Sequence, residues 1–241
     1  MIELVNVNKS YNGMIKAVDD LTLVIPEGQI VGFLGPNGAG KTTTIKMITG
    51  ILNADSGSIT INGIDIKERP LDAKRQFGFV PDSPDMFLRL KGIEYLNFIA
   101  DIYKVSTDLR GQRVQELAES FEMEAALNDQ IQSYSHGMRQ KIIIMGVLIH
   151  DPSVWILDEP MTGLDPKSSF TLKEMMKNHA AAGKTVFFST HVLEVAEKLC
   201  DKVAIINKGR LLFYGTMEEM RENFRSKGSL EKIFLELTEN E

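Results

Sequence analysis

Residues 35–43 read GPNGAGKTT, set between an apolar segment, 29–34, and a helical pattern over 41–51. No other stretch restricts the fold as tightly, because the pattern G-x-x-x-x-G-K-[ST] has meaning only between a strand and a helix. Gly35, Gly38 and Gly40 allow a tight turn whose successive N–H groups point inward at phosphate oxygens. Pro36, Asn37 and Ala39 complete the loop, and the helix that follows adds the positive end of its dipole. Lys41 brings a compact cation to β- and γ-phosphates, Thr42 a hydroxyl suited to Mg²⁺, and Thr43 closes the run. The pattern predicts that the chain binds a nucleoside triphosphate.

The residues around this loop predict an α/β fold. Segments 2–7, 17–25 and 29–34 read as strands, with a turn at Pro26-Glu27-Gly28 between the last two. Short strands at 57–61 and 63–66 flank Asn62-Gly63, the strongest short hairpin signal, and 77–80 is a strand ended by Pro81. From 92 to 127 the pattern turns helical, with Ile93, Leu96, Ile99 and Tyr103 on one face and Val114, Leu117 and Phe121 on another. Strand–helix alternation then returns: strand 154–157, helix 168–182, strand 185–189, helix 193–199, and a hairpin of 203–206 with 211–214. Such alternation implies a mostly parallel sheet with helices on its faces, and a helical subdomain inserted into it.

Val154-Trp155-Ile156-Leu157-Asp158-Glu159 is an apolar strand ending in two carboxylates. Ligands of a parallel sheet bind beyond the C-terminal ends of its strands. Asp158 is therefore placed to hold Mg²⁺, directly or through water, and Glu159 to polarise the water that attacks the γ-phosphate.

Composition excludes several classes. The 241 residues are 43% hydrophobic and 25% charged, suited to one large globular domain or two small ones. A net charge of −6 supplies no basic field, so no nucleic acid partner is expected. The N-terminal residues lack a basic segment followed by an apolar core, so no signal peptide is expected. The apolar run 142–149 is too short to cross a bilayer and reads as a buried helix. Cys200 is the single cysteine, which rules out a disulfide framework and fits a cytoplasmic chain. His136, His150, His179 and His191 show no metal-ligand spacing.

Tyr134-Ser135-His136-Gly137-Met138-Arg139-Gln140 precedes the run of apolar residues. Ser135 is a good N-cap, and a Ser-x-Gly cap on a buried helix makes a second anion site. Here the chain resembles the ATP-binding cassette family, whose signature is usually Leu-Ser-Gly-Gly-Gln. The resemblance covers nearly the whole chain and continues in order. Gly163-Leu164-Asp165 is similar to the family's D-loop, His191 to its switch histidine, and Tyr11 to the aromatic on which adenine stacks. It implies a P-loop NTPase core with an antiparallel β region in 1–82 and 151–216, a helical subdomain in 83–150, and a helical tail in 217–241.

The family's mechanism implies two cassettes meeting head to tail around two ATP and Mg²⁺. Ser135 and Gly137 would then contact the γ-phosphate bound to the partner, His136 and Asp165 would belong to the nucleotide-binding set, and His191 would contact a γ-phosphate. It also implies separate transmembrane permease subunits as partners and a peripheral place on the cytoplasmic face of the membrane. The form YSHGM looks like that of bacterial exporters with separately encoded membrane subunits, as does the tail LEKIFLEL at 230–237. Relatives in DNA repair carry long insertions that are missing here, and translation factors carry two P-loops. A regulatory or cofactor-assembly cassette with a soluble partner stays open.

The sequence departs from the consensus at Tyr134, His136 and Met138 but keeps Ser135 and Gly137. Pro81-Asp82-Ser83 departs further, because the family usually has Gln where Asp82 stands. Asp82 is shorter and anionic. It reads either as a catalytic sensor that reaches the metal through a bridging water or as a plain loop residue at a hinge. Met86, Phe87, Leu88 and Leu90 likewise read either as subdomain core or as a groove for a helix of the membrane subunit.

Overall fold

The computed structural model describes residues 1–12 and 15–223, together with residues 232, 234 and 237. In chain order, β1 (Ile2–Tyr11), β2 (Ile15–Ile25) and β3 (Ile30–Leu34) lead to α1 (Lys41–Ile48). Then come β4 (Ser56–Ile61), β5 (Ile64–Asp65), α2 (Pro70–Lys74) and β6 (Phe77–Val80). The helical region is α3 (Gly92–Ile102), α4 (Thr107–Phe121) and α5 (His136–Leu148). The last part is β7 (Val154–Asp158), α6 (Pro166–Ala181), β8 (Thr185–Thr190), α7 (Leu193–Leu199), β9 (Lys202–Asn207), β10 (Arg210–Gly215) and α8 (Met217–Asn223).

The described strands form two sheets, one in the order β2-β1-β4-β5 and one in the order β10-β9-β3-β8-β7-β6. The first is antiparallel. The second is parallel except for its edge pair β9–β10. This is the α/β architecture that the alternation of elements predicts.

Period-two alternation explains how the layers stack. Along β7, Trp155 and Leu157 face one side and pack with Val186, Phe188 and the helices α3 to α6. Val154 and Ile156 face the other side, with Val31, Phe33, Phe187, α1 and the antiparallel sheet. Both faces of the parallel sheet are covered, so its central strands are largely apolar. The Phe33 and Phe187 rings lie 5.4 Å apart at the centre of the second layer.

Local details follow residue chemistry. Asn62 and Gly63 both take positive φ, 50° and 73°, the conformation a two-residue type I′ hairpin needs. The 92–127 region divides into two helices that both stop on non-glycine residues in left-handed conformation, Lys104 at φ 57° and Glu122 at φ 55°. Val105 N–H then donates to Ala100 O and Met123 N–H to Ala118 O, each at 2.9 Å, a Schellman closure without its usual glycine. That is why the sequence carries no stop signal there. The five-residue α2, opened by Pro70, also had no periodicity to announce it. α5 is buried from Gln140 to Leu148, as its apolar run predicts. No helix among the described residues is long and apolar enough to cross a membrane. Of the expected tail, α8 is described, and most of the 230–237 segment lies outside the described residues.

Two stacked histidines, His179 buried and His150 half-buried, make stability depend on acid. His150 stacks on Tyr103 at 3.6 Å and His179 on Trp155 at 4.0 Å. Burial pushes both imidazoles down from 6.5 to about 4. Between those values the unfolded chain binds more protons than the folded one, so stability falls as pH drops from about 6.5 towards about 4. His179→Phe preserves a ring against Trp155 and is expected to flatten that decline in urea unfolding curves. A slope unchanged from the parent would remove His179 as its source.

Candidate functional site

The loop between β3 and α1 is shaped by backbone crowding. Gly40 sits at φ 109°, and a Cβ there would lie 2.4 Å from Ala17 O. A Cβ on Gly35 would lie 2.3 Å from Ile206 O, although its φ is ordinary. Glycine is required at these two positions by close approach as much as by the turn. Lys41 curls back over the loop, with Nζ donating to Gly35 O at 2.7 Å and to Pro36 O at 3.2 Å. Burial lowers its pKa, against the opposing pull of Glu159 and Asp158. The resulting cleft of about 360 Å³ is lined by Tyr11, Ala17, residues 36–43, Asp82 and Glu159.

The end of β7 supplies the carboxylates. Asp158 is buried, and Ser189 Oγ donates to its Oδ1 at 2.5 Å. Glu159 N–H donates to the same Ser189 Oγ at 2.9 Å. Glu159 adopts φ 47°, a left-handed conformation uncommon for a side chain of this size. This turns its carboxylate between Lys41 Nζ, 3.8 Å away, and His191 Nδ1, 3.0 Å away. Burial raises the Asp158 pKa most. The Ser189 and Thr42 hydroxyls oppose that, while the charges of Asp82 and Glu159 add to it.

Thr42 and Asp158 thus present a hydroxyl and a buried carboxylate to one point, with Asp82 close enough to act on Asp158 through its charge. Hard oxygen donors of this kind, beside a phosphate cradle, suit Mg²⁺. Chemically, the cleft offers a cation and N–H donors for phosphate, oxygen ligands for a divalent ion, and a carboxylate placed to accept a proton.

Ser135, His136, Gly137 and Asp165 do not line that cleft and form a second cluster. Ser135 caps α5, its Oγ accepting from Met138 N–H at 3.3 Å. Gly137 abuts Gly163, where an added Cβ would meet Gly163 O at 2.5 Å. The His136 ring covers the other side of Gly163. Asp165 caps α6 by accepting from Ser168 N–H at 2.8 Å. Lys141 Nζ lies 2.9 Å from its Oδ2 and holds Asp165 well below the usual carboxylate range. Tyr134, where the consensus has Leu, is buried and donates its hydroxyl to Ala126 O at 2.6 Å. It also fills the space in which a Cβ on Gly92 would stand. Of Met86, Phe87, Leu88 and Leu90, the first two are exposed, while Leu88 and Leu90 pack against the core.

A model of the family described as "ABC transporter" matches residues 18–162. The chain belongs to the ABC transporter family. The ABC transporter ATP-binding protein NatA of Bacillus subtilis is 36% identical over 223 residues, 92% of this chain and 90% of the relative. The Nod factor export ATP-binding protein I of Cupriavidus pinatubonensis is 36% identical over 220 residues, 91% of this chain and 67% of the relative. A solved ATP-binding subunit of an ABC transporter superposes with a TM-score of 0.93 at 34% identity, covering 98% of this chain and 99% of that one. A dimeric, post-hydrolysis structure of the cassette MJ0796 bound to ADP and Pi has a TM-score of 0.81 at 26% identity, covering 90% and 99%. The cassette described here is an ATP-binding subunit and an ATPase.

Sequence reasoning missed Ser189. Its signal was a hydroxyl residue at the end of an otherwise apolar strand, next to the segment's histidine. Ser189→Ala unties Asp158 and Glu159 from β8. It is expected to lower kcat about tenfold or more while ATP affinity stays within a few fold, measured by steady-state hydrolysis and nucleotide titration. Equal loss in both parameters would show a binding role instead.

Proposed function

We propose that this cassette is a peripheral subunit on the cytoplasmic face of a membrane, where it drives separate transmembrane permease subunits, and that the transport is export. Two copies, or this chain and a related one, pair head to tail around two ATP. The observation that carries this reading is the division of the phosphate-binding groups into two clusters. One is complete around Lys41, Asp158, Glu159 and His191. The other, around Ser135 and Gly137, lies outside the cleft of its own chain, which supports a role at a partner's nucleotide. The dimeric MJ0796 cassette supports the pairing. The Cupriavidus relative, named for Nod factor export, supports the direction. Residues 1–82 and 151–216 act as the ATPase core, 83–150 as the helical subdomain and 217–241 as a tail.

Tyr11 stacks on adenine, and residues 35–43 wrap the phosphates with backbone N–H groups. Lys41 leaves its own carbonyls for the β- and γ-phosphates. Thr42 and Asp158 would hold Mg²⁺, with the Asp82 carboxylate near enough to act on it. When bound, the ion neutralises charge on the phosphate oxygens. Glu159 takes a proton from the water that attacks the γ-phosphorus, as the bond to the β-phosphate oxygen breaks. His191 holds the Glu159 carboxylate in line and, once the site closes, contacts the γ-phosphate. Ser135, His136, Gly137 and Asp165 complete the partner's site.

Glu159→Gln keeps the shape of the site and loses the proton acceptor. Turnover should fall at least about a hundredfold with ATP binding intact, and the variant should run as a dimer in ATP on size-exclusion chromatography with light scattering. Hydrolysis near the parent rate, with contaminating ATPases excluded, would contradict the assignment.

Asp82 is tested separately. As a metal-linked sensor, Asp82→Ala should lower kcat much more than ATP affinity, and Asp82→Gln should restore activity. The concentration of Mg²⁺ needed for half-maximal ATP binding should shift in Asp82→Ala as well. Parent-like rates and metal dependence in both variants would leave Asp82 as a hinge residue.

A further inference from the structure

Arg139 lies one helical turn beyond Ser135, and its N–H donates to Ser135 O at 3.0 Å. Its guanidinium reaches two other segments at once. Nε donates to Ile131 O at 3.3 Å and Nη2 to Gln132 O at 2.8 Å, so the loop before α5 holds the fork in place. Nη1 donates to Asp85 Oδ1 at 2.6 Å. Asp85 stands three residues after Asp82, in the connection from β6 to α3. Asp82, near the start of that connection, lines the chain's own nucleotide cleft, and Asp85, three residues on, is gripped by the helix that Ser135 caps.

The opposite side of α5 is held too. Residues two apart on a helix project roughly 200° from one another, so Arg139 and Lys141 point to opposite sides. Lys141 ties α5 to Asp165 and thereby to the start of α6. The Asp85–Arg139 pair is partly exposed, with side chains 55% and 23% accessible, and a pair so placed adds little to stability. A planar fork already anchored on two carbonyls instead gives direction, which a flexible cation would not.

We propose that Arg139 is a positioning residue of the ATPase. By gripping Asp85 it fastens the Asp82 loop to the signature helix. Engagement of Ser135 with a partner's phosphate and the placement of Asp82 beside the chain's own nucleotide then change together. The proposal rests on the head-to-tail reading given above.

A double-mutant cycle in the purified full-length chain tests it. Asp85→Asn and Arg139→Gln should each lower kcat about tenfold, with the ATP Kd within about twofold of the parent and an unchanged melting temperature. The double variant should be no slower than the slower single, and Arg139→Lys should recover part of the rate by returning a cation to Asp85. Parent-like kcat in Asp85→Asn, or losses that multiply in the double variant, would overturn the proposal. If Arg139→Gln fails to fold, Asp85→Asn decides the matter alone, because Asp85 is exposed and its replacement is isosteric. ATP-driven dimerisation is measured in parallel in the Glu159→Gln background. No dimer there removes the head-to-tail reading and the proposal with it. A dimer with no coupling in the cycle removes the proposal only.

Discussion

The parallel pairing of β3, β8 and β7 is the constraint on which everything else depends. Its register sets Phe33 opposite Ser189 and Ser189 opposite Asp158, with Leu34 opposite Thr190. Three chain segments far apart in sequence therefore end at one level. Just beyond that level β3 yields Gly35, β7 Glu159 and β8 His191. A slip of one residue would turn Ser189 to the opposite face and part it from Asp158. The register is held because Val31, Phe33, Ile156 and Phe187 point into one packed layer, while Trp155, Leu157, Val186 and Phe188 point into the other. The chemistry of the cleft is thus maintained by apolar packing that touches no ligand.

What was readable in the sequence was local. The 35–43 loop carries all its information in adjacent residues, and so does the Asn62-Gly63 turn, whose positive φ values need those residue types. Asp158 and Glu159 were readable because an apolar strand ends on them. Ser189 was not, because a serine at a strand end says nothing until the strand beside it is known. The pairs Lys141–Asp165 and Arg139–Asp85 were invisible for the same reason, joining residues whose proximity is a property of the fold. Helix ends at Lys104 and Glu122 were missed because left-handed caps on charged residues leave no glycine to read. The placement of the site residues follows from geometry, whereas their roles are a matter for kinetics.

The consensus departures show how a motif tolerates change. Tyr134 in place of Leu would bury a hydroxyl, a cost offset when that hydroxyl reaches Ala126 O. The larger ring needs room, and Gly92 provides it across the helix pair. His136 in place of Gly takes up contact with Gly163, whose φ of 78° and missing side chain leave a shelf for the ring. These replacements alter how the capped end of α5 is propped and leave Ser135 and the backbone of Gly137 where an anion would meet them. Asp82 is a different kind of change. It adds a carboxylate to a cleft already lined by Glu159 and backed by the buried Asp158, and its charge works against ionisation of Asp158. Such a grouping is favourable only when a cation sits among the oxygens.

The P-loop cleft and the Ser135 cluster are physically continuous within the chain. Pro160 to Asp165 runs from the carboxylates of one to the cap of α6 in the other, and α5 holds that segment from several points. Gln140 Nε2 donates to Pro160 O at 3.4 Å, Gly137 seats Gly163, and Lys141 pairs with Asp165. With Glu159 at φ 47° immediately before this segment, a displacement of α5 cannot leave the Glu159 backbone unstrained unless the segment yields elsewhere. Packed interfaces of this kind switch between arrangements and do not deform continuously. A ligand that bound at the Ser135 end would therefore meet, besides the Arg139–Asp85 link, a packed segment that continues directly into Glu159.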